Sequence, residues 1–189
     1  MIKVGLVGED PNDTLSIKNL LEKRYKRKVQ FKSFTRTGTG YGLDSDKTKK
    51  NIPVEFEEKK CDFVIFIRDL DAFESQKSKV QKRINWFNEL NVLVKNKGIL
   101  LLNIWELEAL ILSDIEAFNK FFRINYKFNS DPMAQKEPKE ILKKITSKSN
   151  KQFKESHCPE LFKKLNIDKV EANCRCFKDF IQAFDKKLA

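Results

Sequence analysis

The stretch CDFVIFIRDLDAFE, residues 61–74, limits the possible folds more than any other part of this chain. An uninterrupted apolar run from Phe63 to Ile67 gives way to Arg68, and then to Asp69 and Asp71 on either side of Leu70. Read as a strand buried on both faces, the run belongs in a parallel sheet covered by helices. Two further runs, IKVGLV at 2–7 and GILLLN at 98–103, read the same way, and VQFKSF at 29–34 alternates as a strand does. Between them lie helical patterns over about 14–25 and about 75–95, with a charged, partly helical stretch at 47–60 that Pro53 interrupts. Asn12, Asp13 and Thr14 offer N-caps for the first helix. Strand and helix in alternation predict an α/β fold with a mostly parallel sheet flanked by helices.

Strand signals nearly vanish after residue 114. Helical patterns cover about 105–122, then 138–147, 159–165 and 173–187. The expected organisation is an α/β core over 1–114 with a helical C-terminal extension, 115–189, packed upon it.

Ligands of an open α/β sheet bind beyond the carboxyl ends of its strands. Acidic clusters follow three of the predicted strands: Glu9, Asp10 and Asp13; Asp69 and Asp71; Glu106 and Glu108. Strands of a parallel sheet end on one edge, so these clusters can converge. Carboxylates brought close repel unless a cation, a proton or hydrogen bonds relieve them. Oxygen-only ligands point to Mg²⁺ or Mn²⁺. Glu9, Asp69 and Asp71 are the candidate catalytic residues, and with Asp13, Glu106 and Glu108 they form the candidate metal set. On a helix Glu106 and Glu108 would point about 200° apart, so one of them faces the metal; Glu106, nearer the strand end, is the first choice. Each acid also has a plainer reading, as a cap or a helix-dipole partner.

The net charge of +11 is unevenly spread. Residues 1–114 carry 21 basic and 17 acidic side chains, a balance of +4, and residues 115–189 carry 17 and 10, a balance of +7. Such a surface attracts polyanions, nucleic acid first among them. The loop from Arg36 to Gly42 has no dinucleotide or P-loop fingerprint. Its amides could meet phosphates, with Arg36 pairing one and Tyr41 stacking on a base.

No apolar run is long enough to cross a membrane, and MIKVGLVGED lacks the layout of a secretory signal, so a cytoplasmic protein is expected. Cys61, Cys158, Cys174 and Cys176 are irregularly spaced and are expected to be reduced packing thiols. A zinc site of His157, Cys158, Cys174 and Cys176 lacks paired CxxC spacing. With a single histidine, protease and zinc-hydrolase chemistries have no support.

Taken in order, these motifs resemble those of TOPRIM domains, the fold of topoisomerases, primases and overcoming-lysogenization-defect nucleases. Glu9 and Asp13 keep the separation of the E-G-x-x-E motif, with Asp10 in the glycine place and Asp13 as the second acid. Asp69 and Asp71 match the DxD. WELEALILSD is similar to the E-x-E-A-W-L-L-A-D motif of small bacterial TOPRIM-like proteins, and PKEILKKI and RCFKDFIQAF resemble their tail. The resemblance implies Mg²⁺- or Mn²⁺-dependent phosphodiester cleavage, with Lys136 or Lys139 stabilising developing charge. It also implies a separately encoded ATPase partner in a phage-defence or mobile-element setting. One alternative is a non-catalytic module that binds metal, nucleic acid or a regulating partner. Another is a phosphoacceptor receiver domain, in which Glu9 and Asp10 would hold Mg²⁺ and Asp69 would be phosphorylated. Against the receiver, Asn103-Ile104-Trp105 lacks the expected Ser or Thr, and Lys136-Glu137-Pro138 does not follow a strand.

Overall fold

A computed structural model describes residues 1–34 and 40–189. Four strands, β1 (Ile2–Val7), β2 (Val29–Ser33), β3 (Phe63–Asp69) and β4 (Gly98–Asn103), form one parallel sheet in the order β2-β1-β3-β4. Helices α1 (Pro11–Tyr25), α2 (Asp46–Glu58) and α3 (Lys77–Leu93) link them in turn. The protein is thus α/β, with a parallel sheet flanked by helices.

The pleat of β3 sorts the two faces. Phe63, Ile65 and Ile67 share a core cluster with Ile17, Leu20 and Leu21 of α1, whereas Val64 and Phe66 share another with Ile52 and Phe56 of α2 and Trp86 and Leu90 of α3. The same alternation sends Arg68 toward the α2–α3 face and Asp69 toward the α1 face.

The α1 face is completed by residues after 114. Helices α4 (Ala109–Leu112), α5 (Ile115–Phe122), α6 (Pro138–Thr146), α7 (Cys158–Phe162), α8 (Ile167–Asn173) and α9 (Arg175–Leu188) follow β4. Phe177, Phe180, Ile181 and Phe184 of α9 join the cluster that holds Val4, Leu6 and Ile65. Phe184 lies in the middle of an aromatic group, its ring 4.8 Å from Tyr25 and 5.6 Å from Phe63. The Asn19 side-chain amide of α1 donates to Pro159 O at 2.7 Å, which anchors α7.

Three local expectations are corrected. Helix α2 runs through Pro53 without interruption, because Ile52 and Phe56 are buried on either side of it and hold both halves on the sheet. Helix α1 begins at Pro11, capped by Asp10, whose carboxylate accepts from Asn12 N at 2.7 Å. The predicted helix over 105–122 starts only at Ala109 and breaks at residues 113–114. Trp105 has a φ of 58°, which no residue of a right-handed helix adopts.

Candidate functional site

All four strands point their carboxyl ends to one edge, and the acids gather there. The turn after β1 carries Glu9, and Asp13 follows in the first turn of α1. Because Asp10 has taken the cap, Asp13 is free to face the edge. Asp69 closes β3 beside Asn103, its register partner in β4, whose side-chain amide donates to Asp69 Oδ1 at 2.9 Å. Glu108 sits in the turn before α4 and is buried.

The loops after β3 and β4 are tied to each other by their backbones. Asp71 N donates to Trp105 O at 3.0 Å, and Trp105 N donates to Ala72 O at 3.2 Å. Asp71 and Trp105 both lie in the left-handed region, with φ of 54° and 58°. That conformation is tolerable for Asp and costly for Trp, and strain of this kind collects at functional edges.

Proton affinities register how close the acids stand. Asp13 is pushed up to about 7, first by burial and then by the charges of Glu108, Asp10 and Glu9. Asp69 is raised well above the usual carboxylate range, first by burial and then by Asp13, with Glu108 and Glu9 adding and the Asn103 hydrogen bond opposing. Glu108 is pushed up to about 7 by burial, with Glu106 and Glu155 adding. Glu9 is raised by burial, against the lowering effect of Arg68 and Arg83. Cys158, whose Sγ stands 3.9 Å from Glu108 Oε1, is pushed up by burial and by Glu108 and Asp13, so it stays a thiol.

The outer acids are held by cations. Arg68 Nε stands 2.6 Å from Glu9 Oε1 as an ion pair, although neither atom makes a hydrogen bond of good geometry. Its Nη2 reaches Asp44 at 3.1 Å, and its guanidinium lies 5.0 Å from the centre of the Trp86 ring. Asp71 pairs with Arg83 at 2.8 Å. Glu106 accepts from Lys139 N at 3.1 Å and lies 3.6 Å from Lys139 Nζ. The sequence favours Glu106 as the inward acid, but Glu106 is engaged by Lys139, and it is Glu108 whose charge acts on Asp13 and Asp69. The ammonium of Lys139 is also held protonated: burial opposes its charge, but Glu106, Glu108 and Glu155 outweigh it.

Lys136 lies over the Trp105 ring, 5.9 Å from its centre, and pairs with Glu137 at 3.4 Å. Arg36 and the Tyr41 side chain lie outside the described residues. The four cysteines are free. The imagined zinc ligands are not brought together, for His157 packs on Phe121, Phe122 and Phe153 while Cys158 faces Glu108.

Sequence reasoning missed Arg68 and Asn103. A basic residue inside an otherwise apolar strand needs a buried partner, which was the signal for Arg68. Aligning the ends of β3 and β4 would have set Asn103 beside Asp69.

The donors suit a hard cation in kind, since they are all oxygen, and two buried oxygens, Glu9 Oε1 and Asn103 Oδ1, lack a hydrogen-bond partner. Among the described residues, however, no three carboxylate, imidazole or thiol groups are gathered to hold one ion. The side chains would have to turn toward it.

Fold and site define an α/β protein whose parallel sheet ends in a desolvated acidic edge rimmed by basic side chains. The chain belongs to the family described as a domain of unknown function (DUF4276), matched over residues 8–185. No curated protein and no solved structure matches it.

Proposed function

We propose that the protein is a Mg²⁺- or Mn²⁺-dependent phosphodiester hydrolase acting on nucleic acid, with its site at the acidic sheet edge. One observation carries this reading: Asp13, Asp69 and Glu108, drawn from three separate segments, are all raised in proton affinity, first by burial, with Glu108 adding to both aspartates and Asp13 to Asp69, in a chain whose net charge is +11. The order of the acidic motifs, which resembles that of TOPRIM nucleases, supports it.

In this reading Asp13, Asp69 and Glu108 would hold the ion, with Glu9 beside them. A bound divalent ion supplies Lewis acidity, polarising a phosphoryl oxygen and acidifying a water. Asn103 fixes the orientation of Asp69. Glu9, its proton affinity raised by burial, is placed to accept or return a proton. Arg68 Nη1 is a buried donor without a hydrogen-bond partner and suits a phosphate oxygen. Lys139 sets a fixed positive charge beside Glu106 and Glu108. The free cysteines and the absence, among the described residues, of a helix long and apolar enough to cross a membrane support a cytoplasmic setting.

A second reading, that of a non-catalytic or partner-regulated module, draws on the pairing of Glu9, Asp71 and Glu106 with Arg68, Arg83 and Lys139. One assay separates the two. The purified chain is incubated with plasmid DNA, single-stranded DNA and RNA in Mg²⁺, Mn²⁺ or EDTA. Hydrolysis that needs the metal and falls at least ~10²-fold in Asp69→Ala is the expected result. Metal binding without cleavage of any substrate would move the assignment to the module.

A further inference from the structure

Beside the loops that follow β3 and β4, packed against Leu70, Ala72 and Ile104, three sulfur atoms meet where the 131–134 turn touches the start of α9. Cys174 Sγ stands 3.1 Å from Met133 Sδ, Cys176 Sγ stands 3.6 Å from the same atom, and the two thiol sulfurs are 3.5 Å apart. The phosphodiester chemistry proposed above uses none of them.

The sequence brings them together by two local devices. Cys174 is the N-cap residue of the 14-residue helix α9 and Cys176 lies in its first turn. Both sulfurs therefore stand at the positive end of a helix. The hydrogen bond with Cys174 lowers the Cys176 thiol, while the same contact and burial push the Cys174 thiol up, so Cys176 is the first to ionise and Cys174 gives up its proton to a bound metal. Met133 is aimed by its own turn, in which Asp131 Oδ1 accepts from Met133 N at 2.8 Å. Cys174 is fully buried, whereas Met133 and Cys176 keep some exposure. Both of these line a cavity of about 420 Å³, together with Glu74, Leu102, Ile104 and Phe180, which gives an entry path.

We propose that Cys174, Cys176 and Met133 form a binding site for a soft monovalent cation, Cu(I). Two thiolates and a thioether are soft ligands, the set that selects Cu(I). Zinc sites are built from Cys, His and carboxylate ligands, usually four of them, and do not recruit thioethers. The measured spacing also suits an ion. A triangle with edges of 3.1, 3.5 and 3.6 Å has a circumradius of about 2.0 Å, so an ion about 1.2 Å above its plane lies about 2.3 Å from all three sulfurs, a normal metal–thiolate length. Bound there, the ion ties the 131–134 turn to the first turn of α9 and so stabilises the folded chain. A disulfide between the two cysteines would leave Met133 without a role; its convergence on both is what favours the metal.

The test is an anaerobic titration of the full chain with Cu(I) against a coloured Cu(I) chelator, accompanied by melting curves with and without Ag⁺ as a redox-inert stand-in. The wild-type chain is expected to withdraw one equivalent from the chelator and to melt at higher temperature with Ag⁺. Cys176→Ser is expected to lose the equivalent, and Met133→Leu, which keeps the apolar volume, to bind at least tenfold more weakly. Cys61→Ser/Cys158→Ser should retain it. Far-ultraviolet circular dichroism of each metal-free variant shows that the fold is intact. Failure of the wild type to compete, retention of the ion by Cys176→Ser, unchanged affinity in Met133→Leu, or displacement by Zn²⁺ would each overturn the site.

Discussion

Glu106 and Glu108 are two residues apart and have different surroundings. Glu106 is satisfied by the backbone and ammonium of Lys139, while Glu108 is buried against Cys158 and near Asp13. The two substitutions should therefore act in opposite directions. Glu108→Gln removes a carboxylate that resists ionisation up to about pH 7, so at pH 8 without metal it should raise stability by about 1–2 kcal/mol. At pH 5, where Glu108 is already neutral in the folded chain, the gain should vanish. Glu106→Gln loses a partly exposed ion pair and should lower stability by less than ~1 kcal/mol. Urea midpoints of both variants at the two pH values check this, and a destabilised Glu108→Gln at pH 8 would refute the desolvated edge. This contrast was not legible in the sequence. Angular spacing on a helix was the wrong ruler, because Trp105 takes a left-handed conformation and the helix begins after both acids. The candidate acids themselves were legible, since each follows a buried apolar run.

Among the elements, the strands and α1 could be read directly, because burial on both sheet faces leaves unbroken apolar runs and burial on one leaves a periodic stripe. Helix α8 could not: it has seven residues and buries only Ile167 and Val170. Pro53 misled for a related reason, since packing of Ile52 and Phe56 outweighs what proline costs a helix. Most consequential is α9, which reads from sequence as part of an appendage yet supplies Phe184 to the centre of the sheet's own core. Phe184→Ala should cost about 3–5 kcal/mol in chemical denaturation, the range for a buried phenylalanine. Removing residues 175–189 should leave the remaining chain without cooperative unfolding. A truncated chain that melts sharply would show instead that the α/β half stands alone.

For the molecule as a whole, the raised acids set a pH dependence. Asp13 and Glu108 move from ordinary values of 3.8 and 4.5 to about 7 on folding. The folded chain thus holds these protons more tightly than the unfolded one. Their contribution to stability is complete below about pH 4, is lost as pH rises toward 7, and is level above that. In EDTA the denaturation free energy should fall by several kcal/mol across this range. Saturating Mn²⁺ should remove most of the fall; a curve that rises with pH in EDTA would contradict the acidic edge. The placement of α9 has one more consequence. Every acid of the site precedes residue 109, while the helix that seals the sheet beneath them comes near the end of the sequence. During synthesis the ribosome releases the acids well before the segment that completes their surroundings. Glu9, Asp13, Asp69 and Glu108 therefore emerge before the helices that complete the α1 face, α7 and α9 among them, so their raised proton affinities belong to the finished chain and not to the nascent one.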